Sequence, residues 1–323
     1  MIYIEVMNRN DKKILDFAKT ITAFVVEKFS RSRMFHEMGL YTGRRGKGGD
    51  LAKNGDLFVE RILKDQMPSL LKNFNFPGAT VISEELGITR YKDYKNKYSL
   101  VLIIDPVDGS NNLRPQMATF PNVAFSLGIG IRYEMEKQKN FNGVKVAVIA
   151  DIFNKKVYHA IKNHGAYLND KKISASIEKN INKSIIGMSF DRTGEKFDEI
   201  YKKVKKLLRE SYCQRRLGST SLDLAMVATG QYDAHVSLSG GVKLNDLGAA
   251  PLIIEEAGGV VKMNIFNKNG FKITDNFIKY FLDMDKIENK TYRNLRFNII
   301  AANNKIILNK IIKLLPKQEQ NNF

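Results

Sequence analysis

Apolar residues between positions 12 and 29 recur at helical spacing. Ile14, Phe17, Ala18, Ile21, Phe24, Val25 and Phe29 fall mostly on one side, which predicts an amphipathic helix. A second helix is predicted from about Asp56 to Met67, with Leu57, Ile62 and Leu63 among its apolar positions. After Pro77-Gly78 the period changes. ATVIS (79–83) leads to YSLVLII (98–104), a short, β-branched and almost wholly apolar run of the kind found in strands buried on both faces. NVAFSLGIGI (122–131) and VKVAVIA (144–150) predict neighbouring strands joined across a charged loop, 134–143. The polar, turn-rich residues 162–183 divide the chain into two halves, 1–182 and 183–323. The second half predicts a strand near 184–190, helices 196–210 and 219–229, a strand at 232–237 and a helix at 246–257. FNIIAANNKIILNKIIKLL closes it as a strand and an amphipathic helix capped near Asn303 or Asn304. Such a two-half mixture implies an α/β or α+β layered sandwich.

Two stretches resist this reading. LYTGRRGKGGD (40–50) carries four glycines and three basic residues, which predicts a mobile loop. It resembles a phosphate-binding P-loop only weakly, because no Gly-Lys-Ser/Thr follows and no strand precedes it. Residues 264–294 are polar, rich in Asn and Lys, and poorly patterned.

Composition narrows the classes. With 323 residues, 43% of them hydrophobic, the chain can bury a large core. The lone cysteine, Cys213, has no partner for an internal disulfide, so a reducing cytoplasm is expected. The apolar residues at the N-terminus are broken by Glu5, Arg9, Asp11, Lys12 and Lys13, unlike a signal peptide. No uncharged apolar run reaches the roughly 18–20 residues that span a bilayer, so no membrane partner is expected. The net charge of +18 suits either a polyanion-binding surface or a basic exterior that attracts small phosphorylated substrates. Because the basic residues are scattered and cluster only in pairs such as Lys202-Lys203 and Arg215-Arg216, the second reading is preferred and no nucleic-acid partner is expected.

Candidate chemistry concentrates at strand ends. In IIDPVDGSNN (103–112), Asp105 and Asp108 stand three residues apart at the end of an apolar run. That spacing lets both carboxylates and the Val107 carbonyl converge on one point, an oxygen-only donor set suited to Mg2+. Gly109 and Ser110 permit close backbone approach to a phosphate. Taken alone, DPxDG equally fits a solvated turn. Glu84 and Glu85 in ISEELG (82–87) read alone as a wet loop, and Asp246 in LNDLGAAPLIIEEAGG (244–259) as a helix cap. The four histidines, His36, His159, His164 and His235, lack zinc spacing.

Their order along the chain is more telling. GGDLAKNGD (48–56), ISEELG, DPVDGS, LGSTSLDLAMVATGQYDAH (217–235), NDLGAAPLIIEEAGG and IIAANN (299–304) together resemble the inositol monophosphatase/fructose-1,6-bisphosphatase superfamily, its archaeal-type dual phosphatase branch in particular. The resemblance implies an α+β fold, a layered αβαβα sandwich of two α/β halves. It implies a cytoplasmic phosphomonoesterase of small sugar or polyol phosphates, assembled as a homodimer or homotetramer. Two or three Mg2+ ions, with Mn2+ able to substitute, would be held by Glu84, Asp105, the Val107 carbonyl, Asp108 and Asp246. Asp105 would bridge two of the ions, Glu85 would assist, and Asp50 would join the proton relay or hold a third metal. Asp56 would hydrogen-bond Ser110, and with Glu84 these are the residues expected to activate water. Substrate would be bound by Gly109, Ser110, Arg192, Gly218, Thr220 and Ser237.

The chain also departs from that pattern. Asn245 stands where monophosphatases commonly carry tryptophan, and Ser237 where inositol-specific members place a hydroxyl-binding glutamate. Ser110 and the GGDLAKNGD loop are closer to the bisphosphatases. The implied substrates are therefore fructose 1,6-bisphosphate, inositol monophosphate or both. A nucleotide 3′-phosphatase acting on adenosine 3′,5′-bisphosphate, or an idle relative that binds nucleic acid, are the alternatives.

Overall fold

The computed structural model describes residues 9–32, 35–47, 50–114, 119, 121–190, 193–266, 277–283 and 295–323. Helix α1 spans Arg9–Ser30 and buries Ile14, Phe17, Ala18, Ile21, Val25 and Phe29, the predicted stripe. After the short α2 (Phe35–Met38) come two paired strands, β1 (Tyr41–Arg45) and β2 (Leu51–Lys53). The expected loop at 40–50 is thus partly a hairpin. Its strands were not legible because β1 is largely exposed and shows no apolar alternation. Helix α3 (Asn54–Asn73) runs on through Pro68, past the predicted end at Met67. Proline removes one backbone hydrogen bond there, but burial of Leu70 and Leu71 keeps the last turn attached to the core.

An eight-stranded sheet follows, formed by β3 (Gly78–Ser83), β4 (Gly87–Lys92), β5 (Leu100–Asp108), β6 (Ala124–Ile131), β7 (Val144–Asp151), β8 (Lys156–Ile161), β9 (Gly165–Leu168) and β10 (Lys171–Ile173). Their spatial order is β10-β9-β8-β7-β6-β5-β3-β4, with β3 and β5 parallel and the other pairs antiparallel. The predicted charged loop at 134–143 begins inside helix α4 (Arg132–Lys137), where Arg132 pairs with Glu136 at 2.6 Å across one turn. The polar segment 162–183 supplies the edge strand β10 and its neighbour β9.

A second sheet contains β11 (Ile185–Met188), β12 (Cys213–Arg215), β13 (Ala234–Lys243), β14 (Val260–Phe266) and β15 (Arg296–Ala302), in the order β12-β11-β13-β15-β14. Helix α5 (Glu195–Glu210) precedes β12. Helices α6 (Thr220–Ala228) and α7 (Ala250–Glu256) lie between the two sheets. The closing helix Lys305–Leu314 is capped by Asn304, whose side chain accepts the Ile306 and Ile307 amides. Helix α8 (Phe277–Asp283) falls within the unassigned stretch 264–294, most of which lies outside the described residues.

Period-two burial explains the layering. On β5, Leu100, Leu102 and Ile104 pack toward α1 and α3, whereas Val101 and Ile103 pack toward α6 and α7. On β15, Phe297, Ile299 and Ala301 face the middle layer, and Ile300 and Ala302 face α5 and the closing helix. The result is helix, sheet, helix, sheet, helix, an α+β sandwich. Among the described residues no helix is long and apolar enough to cross a membrane.

The large sheet and the middle layer meet closely at one point. A Cβ on Gly128 of β6 would lie 1.9 Å from the Gly248 carbonyl oxygen, two residues beyond Asp246. Backbone rather than a flexible side chain opposes any enlargement. Gly128→Ala should therefore cost about 3 kcal/mol or more of unfolding free energy, measured by urea denaturation. A loss below about 1 kcal/mol would show that the two segments can part freely.

Candidate metal and phosphate site

Strand β5 carries its apolar run into the middle of the sheet and ends at Asp105-Pro106-Val107-Asp108. Its register with β6 shifts between Asp105 and Asp108, so the strand changes course where its carboxylates begin. The ends of β3 and β5 lie side by side here, with Ser83 opposite Ile104. This brings Glu84, immediately after β3, beside Asp105. Asn245 fastens the junction: its side-chain amide donates to the Ile82 carbonyl at 3.1 Å and to the Ile104 carbonyl at 2.6 Å. Asp246 is thereby delivered to the same point. It sits in a 3-10 turn, Asn245–Leu247, and not at the start of a helix as predicted. Helix α7 begins only at Ala250, with Pro251 in its first turn, where a missing N–H costs nothing.

Glu84, Asp105 and Asp246 each place an oxygen within 4.8 Å of the others. Asp105 is 2% exposed, and its carboxyl lies well above the usual range because of burial first, then Glu84, Asp108 and Asp246. Burial, followed by the charge of Asp108, pushes Asp246 up to about 7. Burial and then Glu84 raise Glu85 to about 9, and its Oε2 is buried without a protein partner. Buried carboxylates gathered this way repel one another unless cations or protons intervene. Their all-oxygen donor set fits a hard divalent cation.

Asp108 lies beside this trio. Its carboxylate accepts Ser219 Oγ at 2.7 Å, Thr220 N at 3.3 Å and Ser221 N at 2.5 Å, tying β5 to the start of α6. Burial nevertheless raises its pKa. Gly109 adopts φ +81°, and a Cβ there would meet Ser219 Cβ at 2.8 Å and the Gly218 carbonyl at 3.0 Å. Only glycine lets the DPVDGS turn approach LGST so closely. Asn112 completes the contact by donating to the carbonyls of Asn122 (2.7 Å) and Leu217 (2.9 Å).

These groups line a cleft of about 720 Å³. Of the residues predicted for the site, Asp50, Asp56, Glu84, Glu85, Asp105, Val107, Asp108, Gly109, Ser110, Gly218, Thr220 and Asp246 all border it. Ser237 does not: it is 1% exposed within β13, its hydroxyl without a protein partner. Because β13 continues to Lys243, past the predicted end at 237, Ser237 lies well back from the strand end that reaches the cleft. Arg192 lies outside the described residues.

Asp56 connects to Ser110 through a residue the sequence reading passed over. Its carboxylate accepts the Lys53 amide at 2.8 Å, while the Lys53 ammonium donates to the Ser110 carbonyl at 2.7 Å. Burial raises Asp56 to about 7. Lys243, Arg45, Arg216 and Tyr41 also line the cleft. The signal for Lys243 was its position three residues before Asp246. A register shift of β13 against β15, between Ser237 and Val242, carries the strand through Gly240-Gly241 to that lysine.

The chain is similar to known proteins. A fructose-1,6-bisphosphatase/inositol-1-monophosphatase of Methanothermobacter thermautotrophicus is 30% identical over 203 residues, covering 63% of this chain and 69% of the relative. The Nus factor SuhB of Escherichia coli K12 is 27% identical over 230 residues, 71% of this chain and 77% of that protein. The solved structure of the extragenic suppressor protein suhB from Bartonella henselae covers 94% of this chain and 98% of its own, with a TM-score of 0.68 at 21% identity, a likeness of fold. The family model for inositol monophosphatases matches residues 11–320, the span that holds both sheets, the carboxylate cluster and the glycine turns around it, and the chain belongs to the inositol monophosphatase family.

Proposed function

We propose that the protein is a Mg2+-dependent phosphomonoesterase acting on fructose 1,6-bisphosphate and inositol monophosphate. The carrying observation is the meeting of Glu84, Asp105 and Asp246 at the end of β5. Glu84, Asp105, the Val107 carbonyl, Asp108 and Asp246 would hold two Mg2+ ions, or Mn2+ in their place, with Glu85 assisting and Asp50 serving a third. When bound, the ions lower the pKa of water and neutralise charge on the phosphate. The chain's own residues supply orientation. Glu84 accepts a proton from the attacking water, and the Ser110 hydroxyl aligns that water against the phosphorus. Asp56, acting through Lys53, fixes the Ser110 backbone. Gly109, Gly218 and Thr220 border the cleft where the phosphate would lie.

Substrate preference rests on the cleft's basic rim. A bisphosphate brings a second dianion that calls for a bidentate partner, and Arg216 and Arg45 both border the cleft. Arg216→Ala should raise KM for fructose 1,6-bisphosphate about tenfold to a hundredfold more than KM for inositol monophosphate. Equal effects would remove Arg216 from the distal subsite.

Phosphate release from fructose 1,6-bisphosphate, inositol monophosphate and adenosine 3′,5′-bisphosphate tests the whole reading. The first two should be turned over in Mg2+, with the bisphosphate preferred. Fastest release from adenosine 3′,5′-bisphosphate would make the protein a nucleotidase. The relatives named Nus factor, together with the net charge of +18, favour a second reading as a nucleic-acid binder. Salt-sensitive RNA binding without any turnover would establish that one instead.

A further inference from the structure

Lys243 stands inside the acidic cluster, in the position of a resident counter-charge. It closes β13, with its side chain 17% exposed. Its ammonium contacts Glu84 Oε1 and lies 2.6 Å from Asp50 Oδ2, while its backbone N–H donates to Asp246 Oδ2 at 2.9 Å. One residue therefore touches three acidic groups that come from three different parts of the chain. Burial alone would lower its pKa, but Glu84, Asp246 and Asp50 outweigh it and lift the group well above its ordinary value.

Asp50 gives this pairing a second consequence. It lies just before β2, in a hairpin whose Gly46 and Lys47 pack against Glu85. Gly46 N donates to the Asp50 carbonyl and Lys47 N to the Glu85 carbonyl. A Cβ on Gly46 would meet Glu85 Oε2 at 2.0 Å, so the hairpin rests directly against that carboxylate. While Lys243 bridges Glu84 and Asp50, it holds the hairpin down.

We infer that Lys243 is a tethered cation that competes with the metal for Glu84 and, while paired, latches the β1–β2 hairpin over the cluster through Asp50. The inference rests on the metal reading proposed above. A positive charge beside a ligating carboxylate opposes arrival of a second cation and partly satisfies the carboxylate beforehand. Metal binding then requires the ammonium to leave Glu84, which frees it within the cleft.

Metal affinity tests this without any turnover. The free Mn2+ signal in electron paramagnetic resonance should give a dissociation constant for Lys243→Met roughly five- to a hundredfold below that of the parent. Lys243→Arg, which keeps the charge, should stay within about threefold of the parent. Unchanged or weaker binding by Lys243→Met would overturn the competition. Absence of Mn2+ binding by the parent would instead overturn the metal reading itself. The parent alone offers an independent check in case the variant fails to fold. Amine acylation followed by peptide mass spectrometry should label Lys243 faster in Mg2+ than in its absence, and equal or slower labelling would also overturn the inference.

Discussion

Asp105→Asn should lower turnover at least roughly a thousandfold in saturating Mg2+, a loss of about 4 kcal/mol of transition-state stabilisation. The substitution keeps the shape of a side chain that is 2% exposed, so the packing at the end of β5 should survive. What it removes is charge from the carboxylate facing both Glu84 and Asp246. A second effect should accompany the first. Because burial and three neighbouring carboxylates oppose ionisation of Asp105, the metal-free variant should melt at a higher temperature than the metal-free parent. Lost turnover with raised stability is the signature of a ligand; lost turnover with lost stability would mark a structural residue. Activity within about tenfold of the parent would sink the assignment altogether.

Mg2+ should stabilise the protein much more at pH 8.5 than at pH 6.5, with the rise in melting temperature larger by about 5 °C. Asp56 and Asp246 are raised to about 7, and Glu85 to about 9. A carboxyl whose folded pKa is raised binds its proton more tightly in the folded state. Its contribution is fully present below the unfolded value near 4 and is lost as pH rises through the folded value. The metal-free protein should therefore weaken from pH 6.5 to pH 9, where these groups must ionise together. Mg2+ meets less competition from protons in that window and relieves more repulsion. The buried His159 and His235, both lowered to about 4 chiefly by burial, act with the opposite sign. Their contribution is present above about 6.5 and fades only as pH falls toward 4, so it does not disturb the window. Equal Mg2+ shifts at the two pH values would place the cation away from these carboxylates.

The parts of the site legible in the sequence are those bound to a strong local pattern. YSLVLII is apolar at consecutive positions because β5 is covered on both faces, and Asp105 and Asp108 then stand out against it. The terminal strand and its Asn304 cap were legible for the same kind of reason. Lys243 and Asn245 were not, because their importance lies in contacts with Glu84, Ile82 and Ile104, some 140–160 positions earlier. Their nearness to Asp246 in sequence does not show that the lysine enters an acidic cluster or that the amide fastens two strand ends. Lys53 was hidden likewise, its partner carbonyls at Ser110 and Leu113 being set by tertiary packing. The hairpin at 41–53 failed in the other direction: its glycines announced freedom, yet docking against Glu85 gives it a defined seat.

The middle helical layer has a consequence for how the chain must be made. Glu84 directly follows β3 and Asp105 lies in β5 of the large sheet, whose strands end at Ile173, whereas α6, Asp246 and α7 follow only between positions 220 and 256. At the roughly 5–20 residues per second of translation, Asp246 leaves the ribosome on the order of ten seconds after Asp105. During that interval α1 and α3 can already cover one face of the sheet, while Val101, Ile103, Ala147 and Ile149 on the other await the helices that shield them. The nascent protein thus passes through a stage with a bare apolar face and an uncompleted acidic cluster at its edge, which makes its biogenesis a natural point for chaperone engagement.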